Sequence, residues 1–304
     1  MNTNERLKTY VIHNPKSGKA LGDSVREKIV QVMDEHQIPY DIYQTTGQEQ
    51  LYEVVKAAID QGFERFIAVG GDGTISGVAS GLVNTGIPLV ILPAGTVNAL
   101  ARELDIPIGL DQGAGWWLSD CEIRKIDVMQ IGDRYFLLNI SVGVSAEITK
   151  DVEREEINRL GVLAFLWRAF KSRKDLPSYK FQVTIDNTLT YIRASELMIA
   201  NSGVLLGMKA LQLDPNANLD DAQMSVCYAR FRSLFDYVRI ALRVIFSRSD
   251  EQAKMDCTTA LHEVRVFSNR PIPVQGDGDK AGMTPVTITL VPRALNVVAP
   301  VRRG

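Results

Sequence analysis

The chain has 304 residues, 45% hydrophobic and 23% charged, which is material for two folded domains and excludes a disordered, collagen-like or disulfide-knotted chain. Its 34 basic and 36 acidic side chains leave a net charge of −2, so no overall field favours nucleic acid. The N-terminal MNTNERLKTYVIHNP lacks an apolar h-region, and no apolar run approaches the roughly 18 residues of a spanning helix, so neither signal peptide nor membrane span is expected.

The first part of the chain alternates between two periods. Thr9-Tyr10-Val11-Ile12 is a short apolar run that stops at Asn14-Pro15, as a buried strand does. Residues 23–36 carry Val25, Ile29, Val32 and Met33 at helical spacing, 40–43 is strand-like, and 50–60 is helical again. A strand at 66–69 runs into Gly70-Gly71-Asp72-Gly73-Thr74, and one at 88–92 runs into Pro93-Ala94-Gly95-Thr96. Strands alternating with helices predict a three-layer α/β domain around a mostly parallel sheet.

Beyond residue 122 the pattern changes to short strand-like runs, at 126–131, 135–142, 181–185, 189–192, 197–200, 224–228, 264–267 and 286–291. Turn signals such as Gly132-Asp133 and Asp186-Asn187 separate them, which predicts an antiparallel sandwich or barrel. Helical stretches are expected at 155–174 and 233–248, and no internal repeat is visible. Cys121, Cys227 and Cys257 have neither CxxC nor Cys/His spacing; they predict reduced thiols in a cytoplasmic protein and no structural zinc.

Ligands bind at the carboxyl ends of strands in an open parallel sheet, where loops meet helix N-termini. Three loops fit that position. In the Gly70–Thr74 loop, glycine lets the backbone approach a phosphate, and amides at the helix start supply donors. A tight turn capped by Asp72 or Thr74 would look the same. A carboxylate among phosphates needs a bridging cation or a proton-transfer role, so Asp72 points to Mg²⁺ or proton handling. The other two loops are Pro93-Ala94-Gly95-Thr96-Val97-Asn98 and Asn14-Pro15-Lys16-Ser17-Gly18-Lys19; the latter lacks P-loop spacing.

Taken together, NPKSGK, GGDGT and GTVNALARELDIP resemble the catalytic-domain family of diacylglycerol kinases, which includes bacterial lipid kinases and, more distantly, sphingosine and ceramide kinases. The resemblance continues through Leu138-Asn139-Ile140-Ser141-Val142-Gly143, Ile199-Ala200-Asn201-Ser202, the run from Leu213 to Asp221, and Gln275-Gly276-Asp277-Gly278-Asp279. It implies an α/β nucleotide-binding domain of the NAD kinase/diacylglycerol kinase type at 1–122, completed by 292–304, and a β-sandwich lipid-binding domain at 123–291.

It also implies a transferase of lipid metabolism and phospholipid biosynthesis, using ATP and Mg²⁺ to phosphorylate a hydroxyl of a diacylglycerol-like lipid. On it, ATP phosphates lie at Gly70, Gly71, Gly73 and Thr74, with Asn14, Ser17, Gly95, Thr96 and Asn98 nearby, and Thr45 and Thr46 near the nucleoside. Asp277-Gly278-Asp279 matches the family's Asp-Gly-Glu, which makes Asp279 the implied base, with Asp277 beside the nucleotide site, and Asp127 an acid of the Mg²⁺ network. Asp220 and Asp221 match a structural metal loop. The implied partners are a lipid substrate and transient contact with the inner membrane surface, without nucleic acid; a homodimer is left open.

The chain departs from the family at three places. Ala99 stands where Asp often follows the GTxN asparagine, Asp279 is one methylene shorter than Glu, and Ala222 replaces the glycine of Asp-Asp-Gly. An NAD kinase shares GGDGT and a β-rich second domain, but no Asn-Glu pair of the sort that family uses follows soon after the GTVN loop here. A non-catalytic nucleotide- or lipid-binding regulator on the same scaffold is the other alternative. Two apolar, basic stretches, 157–174 and 234–248, have the composition of membrane-surface helices, and more commonly of helices packed on a sandwich with a solvated basic edge.

Overall fold

The computed structural model describes residues 7–17, 22–108, 114–150, 177–203, 217–230 and 256–302. The helices expected at 155–174 and 233–248, Gly18-Lys19 and 213–216 lie outside these residues. The chain divides into two compact units, 1–128 with 291–304, and 129–290.

In the first unit, strands β1 (Thr9–His13), β2 (Tyr40–Gln44), β3 (Arg65–Gly70) and β4 (Leu89–Pro93) alternate with helices α1 (Gly22–Glu35), α2 (Leu51–Asp60) and α3 (Asp72–Leu82). The strands are parallel in the order β2-β1-β3-β4. Every residue of β3 and β4 is buried, and after Arg65 both strands are apolar runs, as expected of a sheet covered on both faces. On one face Val25, Ile29 and Met33 of α1 meet Val11, Ile67, Val69, Val90 and Leu92. On the other, α3 packs against α2 through glycine: a Cβ on Gly81 would lie 2.6 Å from the Val55 Cβ. Two short elements follow, helix α4 (Ala99–Glu103) and a 3-10 turn (Trp116–Leu118), and then β5 (Cys121–Ile131).

The second unit consists of antiparallel strands: β6 (Arg134–Phe136), β7 (Asn139–Gly143), β8 (Tyr179–Ile185), β9 (Thr188–Ala194), β10 (Glu196–Ala200), β11 (Met224–Ala229), β12 (Asp256–Ala260), β13 (Glu263–Ser268), β14 (Pro273–Gly276) and β15 (Asp279–Met283). Helix α5 (Val144–Lys150) follows β7. One sheet has the order β12-β11-β10-β7-β14-β15; β9, β8 and β13 form the other with the start of β16 (Val286–Pro300). Alternate residues of both sheets, among them Phe181, Val183, Val264, Ile288, Ile140, Ile199 and Val226, form one apolar core. That is the sandwich pattern of period two.

Three expectations change. The strand expected at 135–142 is broken at Leu137 and Leu138, whose amides donate to the Asp277 carboxylate instead of to a neighbouring strand. Residues 286–291 and the returning C-terminal strand are one 15-residue strand, β16, bent at Arg293 (φ +51°); its Val297 pairs in parallel with Leu89 of β4. Cys227 and Cys257, expected as reduced thiols, are joined in a disulfide. They face each other across the β11–β12 ladder, a proximity that 29 intervening residues hide in the sequence. Cys121 is a free thiol.

Candidate active site

The first unit brings its three glycine-bearing loops together. Gly70 and Pro93 are register partners at the ends of β3 and β4, and the Ala94 amide donates to the Gly70 carbonyl at 2.8 Å. The loops beyond them touch through backbone: a Cβ on Gly95 would stand 2.6 Å from the Gly71 Cα, so only glycine fits there. From the end of β1, Asn14 Nδ2 donates to Thr74 Oγ1 at 3.0 Å, and the Gly71 amide donates to Ser17 Oγ at 3.3 Å. Asn14, Ser17, Gly70, Gly71, Gly73, Thr74, Gly95, Thr96 and Asn98 therefore form one loop cluster at the start of α3. The first turn of that 11-residue helix offers amides and the positive end of its dipole to an anion.

Asp72 holds this cluster in shape. Its two carboxylate oxygens accept the amides of Asn98 at 2.9 Å and Ala99 at 2.6 Å, which fastens the β4–α4 loop to the start of α3. Asn98, in a left-handed conformation (φ +52°), closes the same loop on itself by accepting from the Gly95 amide and donating to the Gly95 carbonyl, both at 2.8 Å. Burial pushes the Asp72 carboxyl above its ordinary value, against the opposing pull of the Ala99 and Asn98 amides. A carboxyl raised in this way takes up a proton more readily than an exposed one.

Thr45 and Thr46 follow β2. Thr45 is buried and its amide donates to the His13 carbonyl at 2.9 Å. Thr46 is held by Glu49, which accepts its amide at 2.7 Å and its hydroxyl at 2.8 Å and also accepts the Gln48 amide and the Tyr43 hydroxyl. Glu49's own amide and that of Thr46 lower its carboxyl to about 2. Lys16 Nζ donates to the Thr46 carbonyl at 3.3 Å, tying this loop to that of β1. Glu49 and Lys16 did not stand out as loop-organising residues in the sequence. Glu three residues after Thr is the capping-box spacing that could have revealed the first.

Asp127 is fully buried in β5 and accepts the Arg293 amide at 2.7 Å, at the bend of β16. In the second unit, Asp277 and Gly278 both have positive φ and form the two-residue turn of the β14–β15 hairpin, for which Asp-Gly is a strong signal. The Asp277 carboxylate accepts the amides of Leu137, Leu138 and Asn139 at 2.5–3.0 Å, an architectural use. Asp279 opens β15 and is half-buried. Asp221 accepts the amides of Asn218 and Gln223 in a tight turn. No group of three His, Cys, Asp or Glu able to hold a metal ion occurs among the described residues, and residues 213–216, which precede the Asp220-Asp221 turn, lie outside them.

Comparison with known proteins gives this geometry a family. Residues 8–131 match the diacylglycerol kinase catalytic domain, and residues 139–299 match the YegS C-terminal NAD kinase beta sandwich-like domain. A diacylglycerol kinase of Bacillus subtilis is 25% identical, over 95% of each chain. An uncharacterized protein of Synechocystis is 29% identical, over 97% of this chain and 71% of its own. A crystal structure of a diacylglycerol kinase from Bacillus anthracis superposes with a TM-score of 0.76 at 21% identity, covering 97% of both chains, which shows the shared fold. The chain thus belongs to the family in which a diacylglycerol kinase catalytic domain is followed by a YegS-type, NAD kinase-like β-sandwich domain.

Proposed function

We propose that this chain is a lipid kinase that transfers the γ-phosphoryl group of ATP to a hydroxyl of a diacylglycerol-like lipid. The observation that carries this reading is the backbone contact between Gly71 and Gly95 beside the start of α3. It makes a cradle of amides with no side chain in the way, the form a triphosphate site takes. Mg²⁺ enters as part of the nucleotide substrate and offsets the charge between β- and γ-phosphates. In this reading Asp72 is the carboxylate among these loops, whereas Asp127 is bound to the amide of Arg293, next to Ala294, whose carbonyl accepts the Asn84 amide beyond the other end of α3.

In the transfer step the lipid oxygen forms a bond to the γ-phosphorus while the bond to the β–γ bridging oxygen breaks. ADP leaves with that electron pair, and the hydroxyl proton passes to Asp279, or to Asp72 through water. Most of the acceleration comes from positioning and electrostatics. The match of residues 8–131 to the diacylglycerol kinase domain favours a lipid hydroxyl over the NAD ribose.

The test is transfer of labelled γ-phosphate from ATP and Mg²⁺ into a panel of diacylglycerol, sphingoid bases, ceramide and isoprenoid alcohols in mixed micelles, with NAD⁺ as a further acceptor. Label in one lipid class, absent with Gly95→Ala, is the expected result. Label in NAD⁺ alone would overturn the assignment, and saturable ATP binding without transfer to any acceptor would favour the regulatory alternative.

A further inference from the structure

The outer face of the second unit's β16-β13-β8-β9 sheet carries a chemistry that the phosphoryl-transfer site does not use. The strand registers place Phe267, Gln182 and Tyr191 in one row across β13, β8 and β9, and Arg265, Thr184 and Leu189 in the next. Lys180 and Arg193 are opposite each other one row further on. Their inward-pointing neighbours Phe181, Val183, Ile192 and Val266 are buried in the sandwich core, whereas Tyr191 is 72%, Leu189 54% and Phe267 47% exposed. Three large apolar side chains thus stand on the solvent side with three cations around them. Two carboxylates stand in the row beyond Arg265: Glu263, 2.6 Å from Arg265 and neutralised by it, and Asp186, whose carboxylate is taken up by the amides of Leu261, His262 and Glu263.

We propose that this face is a docking surface for an anionic phospholipid bilayer; the inference deepens the lipid-kinase reading and rests on it. The charge decides the partner. The chain as a whole carries more acidic than basic groups, yet this face has Lys180, Arg193 and Arg265 against Glu263, which is paired with Arg265, and Asp186, which is held at the edge by three backbone amides. A second copy presenting the same face would meet like charge, while an anionic surface complements it. The spacing also fits. Tyr, Phe and Leu stand singly among Thr and Gln rather than in one apolar stripe, and aromatic rings and long basic side chains settle together at headgroup depth. A kinase whose acceptor stays in a bilayer gains from being held at that surface.

The test is co-sedimentation of the full chain with vesicles of phosphatidylglycerol mixed with phosphatidylcholine, and with phosphatidylcholine alone, at low and high salt. Two double variants of exposed residues, Lys180→Gln with Arg193→Gln and Leu189→Ser with Tyr191→Ser, are compared with the parent after circular dichroism confirms their fold. The parent binds the anionic vesicles and is released by salt, and the first variant binds on the order of tenfold or more weakly, several-fold per cation removed. The second also loses most binding. Transfer to a short-chain, water-dispersed diacylglycerol stays at the parent level in both.

Equal binding of parent and variants, no binding by the parent, or equal binding to phosphatidylcholine overturns the proposal. So does a fall in solution mass in the face variants, which would give the surface to a second copy. Absent transfer with every lipid beside the expected vesicle result would instead sink the kinase reading alone.

Discussion

Asp72 is the residue at which the local chemistry is most constrained. Both of its oxygens are engaged by the amides of Asn98 and Ala99, so Asp72→Asn does more than remove a charge. The new amide NH₂ would face a backbone donor, leaving a donor without an acceptor at a cost of about 1–3 kcal/mol. The expected result is a lower denaturation midpoint together with weaker ATP binding by calorimetry. A variant that loses transfer but keeps both would show Asp72 acting in the chemistry alone. The sign of its pH dependence follows from burial. With the folded-state value raised above the ordinary one, Asp72 favours folding most below its unfolded value, and that contribution is lost as pH rises through the folded value. Parent stability should therefore decline relative to Asp72→Asn over that rise, as read by denaturant titrations from about pH 4 upward.

Gly95 and Ala222 are opposite cases of backbone restriction. Gly95→Ala drives a methyl to 2.6 Å from the Gly71 Cα, and backbone cannot swing aside as a side chain does, so the phosphate cradle should open and ATP affinity fall at least tenfold in the same calorimetric titration. Ala222 sits at φ +57°, where L-residues other than Asn and Asp are strained. Ala222→Gly should stabilise the chain by about 0.5–1 kcal/mol, raising its melting temperature by about 1–4 °C. The departure from Asp-Asp-Gly is thus a backbone cost at the turn that the Asp221 carboxylate closes.

At the level of elements, two hairpin turns use the same device. Asp186 donates its amide to the Glu263 carbonyl, and its carboxylate accepts the amides of Leu261, His262 and Glu263; Asp277 does the same with Asn139 and with Leu137, Leu138 and Asn139. Burial alone would raise the Asp186 carboxyl, but the three amides outweigh it and hold it below its ordinary value. Its clamp therefore contributes above the unfolded value and is lost as pH falls through the folded one. Asp277→Ala should cost the second unit about 2 kcal/mol in denaturant titrations, because three amides lose a charged acceptor, while Asp277→Asn recovers part of it. An unchanged midpoint in Asp277→Ala would remove the architectural role.

These clamps also show what the sequence conveys and what it hides. The alternation of periods revealed both sheet types, and the order of the three loops revealed the cluster, because each rests on local pattern. That Asp277 would bind amides some 140 residues earlier, and so break the strand expected at 135–142, depends on tertiary contact. The Asp-Gly dipeptide signalled only the turn. The pairing of Cys227 with Cys257 was hidden for the same reason, since cross-strand neighbours carry no spacing signature.

Across the whole molecule, β5 and β16 each begin in one compact unit and end in the other. Val297, on the final part of β16, is completely buried against the parallel sheet; Val264, on β13, is equally buried in the sandwich core. Scanning calorimetry can use these positions to assign each unit's melting. Val297→Ala removes two methyl carbons from a packed site and should lower the first unit's transition by about 2 kcal/mol, on the order of 5–8 °C. ATP with Mg²⁺ at a hundred times its dissociation constant should raise that same transition by about 2.7 kcal/mol, since the glycine cradle lies wholly within the first unit. Val264→Ala, or reduction of the Cys227–Cys257 disulfide that closes a 30-residue separation within the sandwich, should lower the second transition instead. If ATP stabilised the transition that Val264→Ala lowers and left the Val297→Ala transition unmoved, the nucleotide would have to bind in the sandwich, and the three converging loops would lose their role.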